Sequence, residues 1–412
     1  MRKSGRAVLA ALSVIAATAM LLTETDASAA AVKSQMSPPI GTQLAELSGS
    51  HTIAGGKVGN TSVAIWGTTA VMGRTILLGG GDWRYGGQAY VFGESRGVWK
   101  QVAELKGSET AARDMYGISV AIWRATVVVG APDLVTGASR AYVFTETAGH
   151  WKQTAELKGS GVGAFDLFGA SVAISGRTIV VGAPDENQVG GQAYVFTETR
   201  GIWKQTAEFN GPTMYAGGGC FGYSVAISGT NVVVSQPGLM TFTVRGGAFV
   251  FTKTAGRWKK TAVLYGPPAF SEWGISVAIS GTVAVVGAAG YENDSGEAYV
   301  FTEINGIWKR TAPLKYTEPE TVRGDGYFGY SVAVLGRTIV VGAPGLALET
   351  NTGLAYVFTK TDAGWKQVAE VTGSDTRAGD GFGVSVAISG RAAIVGALAF
   401  SNAVGHVYLF EA

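Results

Sequence analysis

The residues that could perform chemistry in this chain are few and widely separated. Three histidines, His51, His150 and His406, are available as a general base or a metal ligand in a chain of 412 residues. The carboxylates Asp185 and Glu186 are adjacent in one predicted loop, so they point apart and do not flank a substrate. Catalysis needs an acid, a base or a metal set that converges on one place. We therefore predict no catalytic residues.

Metal and thiol chemistry are equally sparse. The segment Glu292-Asn293-Asp294-Ser295-Gly296 offers oxygen ligands of the kind that calcium prefers. A single loop of this type is more often a solvated turn, so we predict no metal site and no cofactor, and leave a weak calcium site in the variable loops open. Cys220 is the only cysteine, which excludes an internal disulfide. We interpret it as a small buried hydrophobe rather than a reactive thiol.

The N-terminus has the pattern of a secretory signal peptide. Three basic residues precede an apolar run from Ala7 to Leu22, and the small residues at 27–30 provide a cleavage site. The alternative, a membrane anchor, is disfavoured because this run is shorter than the roughly 20 residues that a span needs. We therefore predict that residues 1–30 are a signal peptide, that residues 31–412 are one domain, and that the protein is secreted, extracellular or periplasmic, without membrane insertion.

The elements that must position any site are repeated along the chain. The segment from Asp166 to Phe209 contains four runs of strand length, SVAIS, TIVVGA, QAYVFT and WKQTAEF, separated by glycine-rich breaks and without helical periodicity. An aromatic residue followed by glycine precedes the first run in six units, and these glycines are 52 to 55 residues apart. The pairs are Tyr116-Gly117, Phe168-Gly169, Phe221-Gly222, Trp273-Gly274, Phe328-Gly329 and Phe382-Gly383. Each unit predicts one four-stranded antiparallel sheet.

A seventh unit comes first, and its register has two solutions. Ser62 to Gly67 (SVAIWG) matches the first strand of the other units, whereas Gly73 to Gly80 (GRTILLGG) matches their second strand. The count is seven with either solution.

The two ends of the chain predict how the repeats close. The sequence reaches Thr42 to Leu47 (TQLAEL), which is equivalent to a fourth strand, before any first strand, and it stops at His406 to Phe410 (HVYLF), which is equivalent to a third strand. Joining them completes the last sheet and leaves no open face between the first and last units. We therefore predict an all-β seven-bladed β-propeller of four-stranded antiparallel blades, closed by an N-terminal strand that completes the last blade.

Two motifs carry a resemblance to a known family. Phe168-Gly169 with Gly182-Ala183-Pro184, and Phe328-Gly329 with Gly342-Ala343-Pro344, spell the two halves of the FG-GAP repeat. The chain resembles bacterial secreted FG-GAP repeat proteins, which are related in architecture to the propeller of integrin α subunits. The resemblance implies a propeller fold and a role in binding or adhesion. Three units depart from the second motif, which suggests relaxed constraint on those loops: Ser235-Gln236-Pro237, Gly287-Ala288-Ala289 and Gly396-Ala397-Leu398.

The resemblance does not extend to the calcium sites of integrins. Their propellers carry a D-x-D-x-D-G loop between the first two strands, where this chain has two-residue turns such as Gly176-Arg177. Glycine at the first central position predicts a type II′ turn. We expect Arg177, Arg337 and Arg391 to be solvated turn residues. Six tryptophans open the fourth strands and are expected to pack against the sheets: Trp99, Trp151, Trp203, Trp258, Trp308 and Trp365.

Antiparallel order decides which end of the ring can vary. The first-to-second and third-to-fourth turns emerge on one face and are short and alike, whereas the second-to-third and inter-blade connections emerge on the other face and differ in length and content. Acidic residues outnumber basic ones in those variable connections, and the rest of the chain is basic. Exposed aromatics there could stack on sugars or anchor a protein. The candidate ligand-binding residues are Trp83, Tyr85, Tyr215, Phe270, Tyr291 and Tyr327.

Two functions from different classes fit this pattern. The first is a secreted, non-catalytic binding or adhesion module that recognises an extracellular protein or a polysaccharide through the variable face. The alternative is an extracellular polysaccharide lyase or hydrolase on a propeller scaffold, since propellers also host enzymes. Bases and acids nearly balance without residues 1–30, so nucleic acid is not an expected partner.

Overall fold

The computed structural model describes most of the chain beyond residue 36. The described residues are 37–50, 56–78, 84–110, 114–133, 137–163, 165–184, 190–212, 220–237, 246–266, 273–290, 295–316, 326–345, 351–398 and 405–412. They form 28 β-strands and no helix. None of them therefore belongs to a helix that could cross a membrane. The predicted signal peptide lies outside these residues, and the division at residue 30 stays a prediction.

The strands form seven sheets of four, each consecutive along the chain except the last. Blade 1 consists of β2 (Gly56–Trp66), β3 (Thr69–Leu78), β4 (Arg84–Ser95) and β5 (Val98–Leu105). Blade 2 consists of β6 (Val120–Trp123), β7 (Thr126–Ala131), β8 (Arg140–Thr147) and β9 (His150–Leu157). Blade 3 consists of β10 (Ser171–Ser175), β11 (Thr178–Ala183), β12 (Gln192–Thr199) and β13 (Ile202–Asn210).

Blades 4 to 6 follow the same order. Blade 4 consists of β14 (Val225–Ser228), β15 (Asn231–Gln236), β16 (Gly247–Thr254) and β17 (Arg257–Leu264). Blade 5 consists of β18 (Trp273–Ser280), β19 (Val283–Ala288), β20 (Glu297–Ile304) and β21 (Ile307–Leu314). Blade 6 consists of β22 (Ser331–Leu335), β23 (Thr338–Ala343), β24 (Leu354–Thr361) and β25 (Gly364–Val371).

Blade 7 joins the two ends of the chain. It consists of β26 (Ser385–Ser389), β27 (Ala392–Ala397), β28 (His406–Glu411) and β1 (Gln43–Ser48), and β1 pairs antiparallel with β28. Seven apolar clusters then lie between neighbouring blades, including one between blades 7 and 1 that contains Leu47 and Val63. The predicted seven-bladed propeller and its closure by the N-terminal strand are confirmed.

The structure also settles the register of the first unit. Ser62 pairs with Gly73 and Trp66 pairs with Thr69, so SVAIW is the first strand and the segment ending at Gly73 belongs to the second. β2 and β3 are longer than their counterparts, because pairing continues past this point to Gly56 and Leu78. The first of the two predicted registers is therefore correct.

The repeated motifs form joints between blades, as the seam of blades 3 and 4 shows. Gly222 of the aromatic-glycine pair has a φ of 91° and turns its carbonyl toward blade 3. The Ser171 hydroxyl donates to that carbonyl at 2.8 Å, and a Cβ on Gly182 would lie 2.0 Å from the same oxygen. Phe221 is fully buried in the cluster between the two blades. The aromatic residue of the pair therefore packs between the two blades.

Two of the departures from the second motif replace its proline by another buried residue. Ala289 and Leu398 occupy the position of the motif's proline and are buried, at 0% and 3% exposure. They belong to an apolar cluster, called here the central cluster, that collects residues from blades 4 to 7: Tyr223, Ile275, Ala289, Tyr330, Val384 and Leu398. The half-buried Cys220 packs against it, consistent with its predicted role as a small hydrophobe.

The serine at the start of the first strand predicts a measurable stability effect. Ser171→Ala removes the buried hydrogen bond to the Gly222 carbonyl and should lower the free energy of unfolding by about 1–2 kcal/mol. Urea denaturation measures it. The matched control Thr199→Ala removes an exposed hydroxyl from the same blade and should stay within about 0.5 kcal/mol. Equal effects of the two substitutions would show that the inter-blade bond contributes nothing.

Candidate functional site

One end of the ring is uniform. At the first-to-second turns the first central residue alone has a positive φ, as Gly176 does at 59°, which is the backbone of a type II′ turn. Arg177 is exposed and pairs with Glu198 of the adjacent strand at 2.9 Å, and the turn residues Arg337 and Arg391 are also exposed. These turns leave no room for an integrin-type calcium loop. The predictions for the turns are confirmed, and the six fourth-strand tryptophans lie half-buried against inter-blade clusters, as expected.

The opposite end differs from blade to blade at one repeated position. Each third strand carries a buried aromatic residue, and the residue two positions before it is called here the rim residue. It is the first residue of the strand in blades 2 to 7, whereas in blade 1 it lies inside the longer β4. The rim residues of blades 1 to 7 are Gln88, Arg140, Gln192, Gly247, Glu297, Leu354 and His406. The same position of the third strand therefore carries six different residue types in seven blades, with glutamine in both blade 1 and blade 3.

In blade 2 the rim group is an arginine held by two acids. Arg140 Nε lies 2.5 Å from Glu156 Oε1 on the neighbouring strand β9, and its guanidinium lies 3.7 Å from Glu109 of the inter-blade connection. Burial, reinforced by the negative charge of Glu156, raises the pKa of Tyr142 to about 12, so this phenol is neutral. The set offers one cation, two carboxylates and a buried phenol whose hydroxyl has no hydrogen-bond partner among the described residues.

In blade 5 the rim group is an acid. The carboxylate of Glu297 is nearly buried, accepts a hydrogen bond from the Tyr299 hydroxyl, and lies 2.6 Å from the exposed ammonium of Lys315. Blades 2 and 5 thus carry rim charges of opposite sign. Each of these two rim charges is paired with a group of opposite sign, Arg140 with Glu156 and Glu297 with Lys315.

In blade 7 the rim residue His406 belongs to a group that bridges the closure. His406 Nδ1 lies 2.6 Å from Glu46 Oε1 on β1, and the Tyr408 hydroxyl donates to Asp375 Oδ1 at 2.7 Å from the loop after blade 6. Burial and this hydrogen bond raise the pKa of Tyr408. Glu46, Asp375 and His406 offer three ligand atoms within 4.8 Å of one another, a donor set suited to zinc or a similar divalent metal rather than calcium. Each of the three already contacts another protein group.

Blade 1 buries a charge near the same closure. Arg74 has no solvent exposure, and its guanidinium donates to the side chain of the rim residue Gln88. Desolvation lowers the pKa of Arg74. It occupies the place that Ala183 takes in blade 3, so a cation replaces a methyl group at one position of the ring.

The predicted ligand-binding residues are largely outside the described residues. Trp83, Tyr215, Phe270 and Tyr291 lie there, as do the loop at 292–294 and the carboxylate pair at 185–186. Tyr85 lies in β4, paired across the sheet with Leu77. Tyr327 is half-buried against the central cluster, with a φ of 54°. Their role in binding stays a prediction, and part of the Tyr327 ring is occupied by packing.

The enzyme hypothesis gains little from the described residues. His51 lies outside them, and His150 begins β9 at the uniform end, exposed and far along the strand from the rim. The group around His406 is the one place in the described part where a histidine and carboxylates converge. Sequence reasoning missed Arg140, Glu297 and Asp375, although the changing residue before Ala-Tyr-Val-Phe in aligned units is a signal that could have identified the rim.

Comparisons with known proteins were made on sequence and on structure. Five segments match a family model described as FG-GAP repeat, residues 99–144, 151–196, 269–301, 319–358 and 365–410, together about half of the chain. No curated protein matches the chain. Similar solved structures include the β-propeller domain of the Trilobed protease from Pyrococcus furiosus, with 11% identity, 83% of this chain and 91% of that chain covered and a TM-score of 0.46. Another is Sqt1 from Chaetomium thermophilum, solved bound to the N-terminus of ribosomal protein L10, with 15% identity, 87% and 97% covered and a TM-score of 0.49.

Proposed function

We propose that this chain, which belongs to the FG-GAP repeat family, is a secreted binding module that recognises an extracellular protein or polysaccharide through the variable end of its propeller. The uniform end, the inter-blade joints and the closure supply a rigid scaffold. Recognition falls to the rim residues and to the connections around them. Secretion, the ligand class and the absence of catalysis are parts of this proposal.

The observation that carries the proposal is the contrast between the two ends of one repeated unit. Turns at the uniform end keep the same two-residue form, whereas the rim changes from arginine in blade 2 to glutamate in blade 5 and histidine in blade 7. Ion pairs hold the rim charges in place, such as Arg140 with Glu156 and Glu297 with Lys315. Pre-positioned groups lose little side-chain entropy on binding, so a surface of this kind favours selective recognition.

A binding screen with matched variants tests the proposal. The wild-type protein is applied to glycan and extracellular-protein arrays, with calcium and with chelator, and the best ligand is then titrated. Arg140→Gln places at the rim the residue that blades 1 and 3 carry there, and should weaken binding by about tenfold, the effect of one charged contact. Arg177→Gln at the uniform end is the control and should leave affinity within about twofold.

The outcomes separate the hypotheses. Binding that responds to Arg140→Gln and Tyr327→Ala but not to Arg177→Gln supports the variable end as the recognition surface. Equal sensitivity at the two ends would contradict it. Turnover of any polysaccharide on the array would replace the binding module by the lyase or hydrolase hypothesis, and a chelator-sensitive signal would identify a metal in recognition.

A further inference from the structure

Four seams of the ring are closed at their outer edge by the same pair of side chains. A serine in the inter-blade connection and a glutamine in the next fourth strand bond each other twice: the serine N–H donates to the glutamine oxygen, and the glutamine amide donates to the serine hydroxyl. In the seam of blades 2 and 3, Ser160 and Gln205 make these contacts at 2.9 and 2.7 Å. The other three pairs are Ser50 with Gln101, Ser108 with Gln153, and Ser374 with Gln43.

Blades 4 and 5 replace this clasp by bases. At the glutamine position they carry Lys260 and Arg310, and the connections that lead into them, from Asn210 and from Tyr265, continue with glycine and proline instead of glycine and serine. Lys260 Nζ lies 5.7 Å from the ring centre of Phe249, and the Arg310 guanidinium lies 5.6 Å from that of Tyr299. Both side chains are exposed, whereas Gln153 and Gln205 are half-buried.

The same two strands also lose their acid. In blades 1, 2, 3 and 6 the fourth strand carries one exposed lysine and one glutamate, such as Lys152 and Glu156 in blade 2. These two charges cancel in each strand, and the strand of blade 2 also begins with His150. In blades 4 and 5 Val263 and Pro313 take the place of the glutamate. β17 and β21 therefore carry no acid but the bases Arg257, Lys259, Lys260, Lys309 and Arg310, all exposed.

Strand pairing places these bases along the grooves between blades. Lys260 lies opposite Phe251, and Arg310 lies opposite Phe301. Phe251 belongs to the cluster between blades 3 and 4, and Phe301 to that between blades 4 and 5, so one base stands at the outer mouth of each groove. Lys253 at the hairpin end of blade 4 adds a sixth base, 5.6 Å from the Trp258 ring centre, whereas blade 5 has Glu303 there. Among the described residues, no carboxylate pairs with these six bases.

We propose that the outer edges of blades 4 and 5 bind a polyanionic polysaccharide, a chain of sulfated or uronic-acid sugars. The bases follow the outer strands of two neighbouring blades, so a linear polyanion can contact them in succession. Exposed Thr261 and Thr311 and the half-buried indoles of Trp258 and Trp308 stand on the same two strands as the bases and can contact sugar hydroxyls and ring faces. This surface is separate from the variable end and does not depend on the function proposed there.

The test uses residues that the chain itself supplies. In Lys260→Gln/Arg310→Gln each base becomes the glutamine found at that position in the other five blades, so the fold is retained. Heparin and polygalacturonate serve as polyanion probes and dextran as the neutral control. The double variant removes two of the six bases and should therefore bind both polyanions at least about tenfold more weakly. The comparison is made at 0.1 M salt, where exposed charges are screened beyond about 10 Å and only nearby bases act on the polymer. Wild-type affinity should fall steeply as salt is raised.

The matched control removes the same number of charges elsewhere. Lys100→Gln/Lys152→Gln lies on the outer strands of blades 1 and 2, beside Glu104 and Glu156, and should change polyanion affinity by less than about twofold. Arg177→Gln at the uniform end should also change polyanion affinity by less than about twofold. Equal losses in the two double variants, dextran binding as strong as heparin binding, or tighter binding to vesicles with anionic lipid than to either polyanion would overturn the proposal.

Discussion

Deleting residues 37–48 is expected to abolish cooperative folding of the ring. These residues contain β1, which completes blade 7 by pairing with β28 from Gln43–Phe410 to Ser48–His406. Without β1 the outer edge of β28 is left unpaired, and Leu47, which is 4% exposed, no longer fills the cluster between blades 7 and 1. The lost contacts amount to a strand ladder and a buried leucine, which is comparable with the roughly 5–15 kcal/mol that separates folded from unfolded proteins.

The measurements are thermal unfolding and size-exclusion chromatography of the deleted protein. We expect no cooperative transition above about 40 °C, and self-association through the exposed strand edge. Leu47→Ala should give an intermediate result, a loss of about 2–5 kcal/mol typical of a buried leucine. A deleted protein that melts within a few degrees of the wild type would show that blade 7 is stable with three strands.

A permuted variant is the control for this deletion. Residues 37–48 are moved behind Ala412 through an Asn-Gly turn, so that blade 7 acquires the continuous third-to-fourth hairpin of the other blades. In the hairpins of blades 1 to 5 two adjacent turn residues have positive φ, as Arg200 and Gly201 do, and Asn305-Gly306 is the native example in blade 5. The permuted protein should recover most of the wild-type melting temperature. If the melting temperature of the permuted protein stays low, the position of β1 at the N-terminus would be required for stability, and supplying a fourth strand to blade 7 would not be enough.

The closure could be predicted because it follows from counting strands. The family matches make the same point: the segments 151–196 and 365–410 each begin on a fourth-strand tryptophan and end on the third strand of the next blade. The sequence repeat is therefore offset by one strand from the structural blade. A chain of such repeats must borrow the fourth strand of its last blade from its N-terminus, where TQLAEL stands alone.

The candidate site could not be predicted in the same way, because it depends on distances between residues far apart in sequence. Glu46 and His406 are 360 residues apart and become neighbours only when β1 pairs with β28. Asp375 reaches them from a loop of blade 6 through Tyr408. Periodicity indicates which face of a strand is buried, but not which polar groups of different strands meet at its end. Arg74 is a further case, since nothing in its local sequence signals a fully buried cation.

Interchanging glycine and serine at the inter-blade joint is expected to show where the FG-GAP motif carries stability. A Cβ at position 182 would stand 2.0 Å from the Gly222 carbonyl oxygen and 2.2 Å from the Ser171 hydroxyl. The oxygen belongs to the backbone of the next blade, so Gly182→Ser forces the two blades apart and breaks the Ser171 hydrogen bond. We expect a loss of about 3 kcal/mol or more in urea unfolding, at the upper end of overpacking effects.

The chain contains its own control for this prediction. Blade 4 carries Ser235 at the equivalent position, and the joint there has a different geometry. The Ser235 hydroxyl accepts a hydrogen bond from the Ser224 N–H at 3.0 Å. The first strand of blade 5, β18, shifts its register with β19 between Trp273 and Val277. Ser235→Gly should therefore cost the hydrogen bond, about 1 kcal/mol, and no clash. At Gly396 a Cβ would lie 3.2 Å from the Thr61 methyl and 3.3 Å from the Thr61 carbonyl oxygen, much farther than the 2.0 Å at position 182, so Gly396→Ser should fall between the two. Equal losses at positions 182 and 396 would mean that the approach of the two backbones does not limit stability, and that the glycine of the motif is kept for another reason.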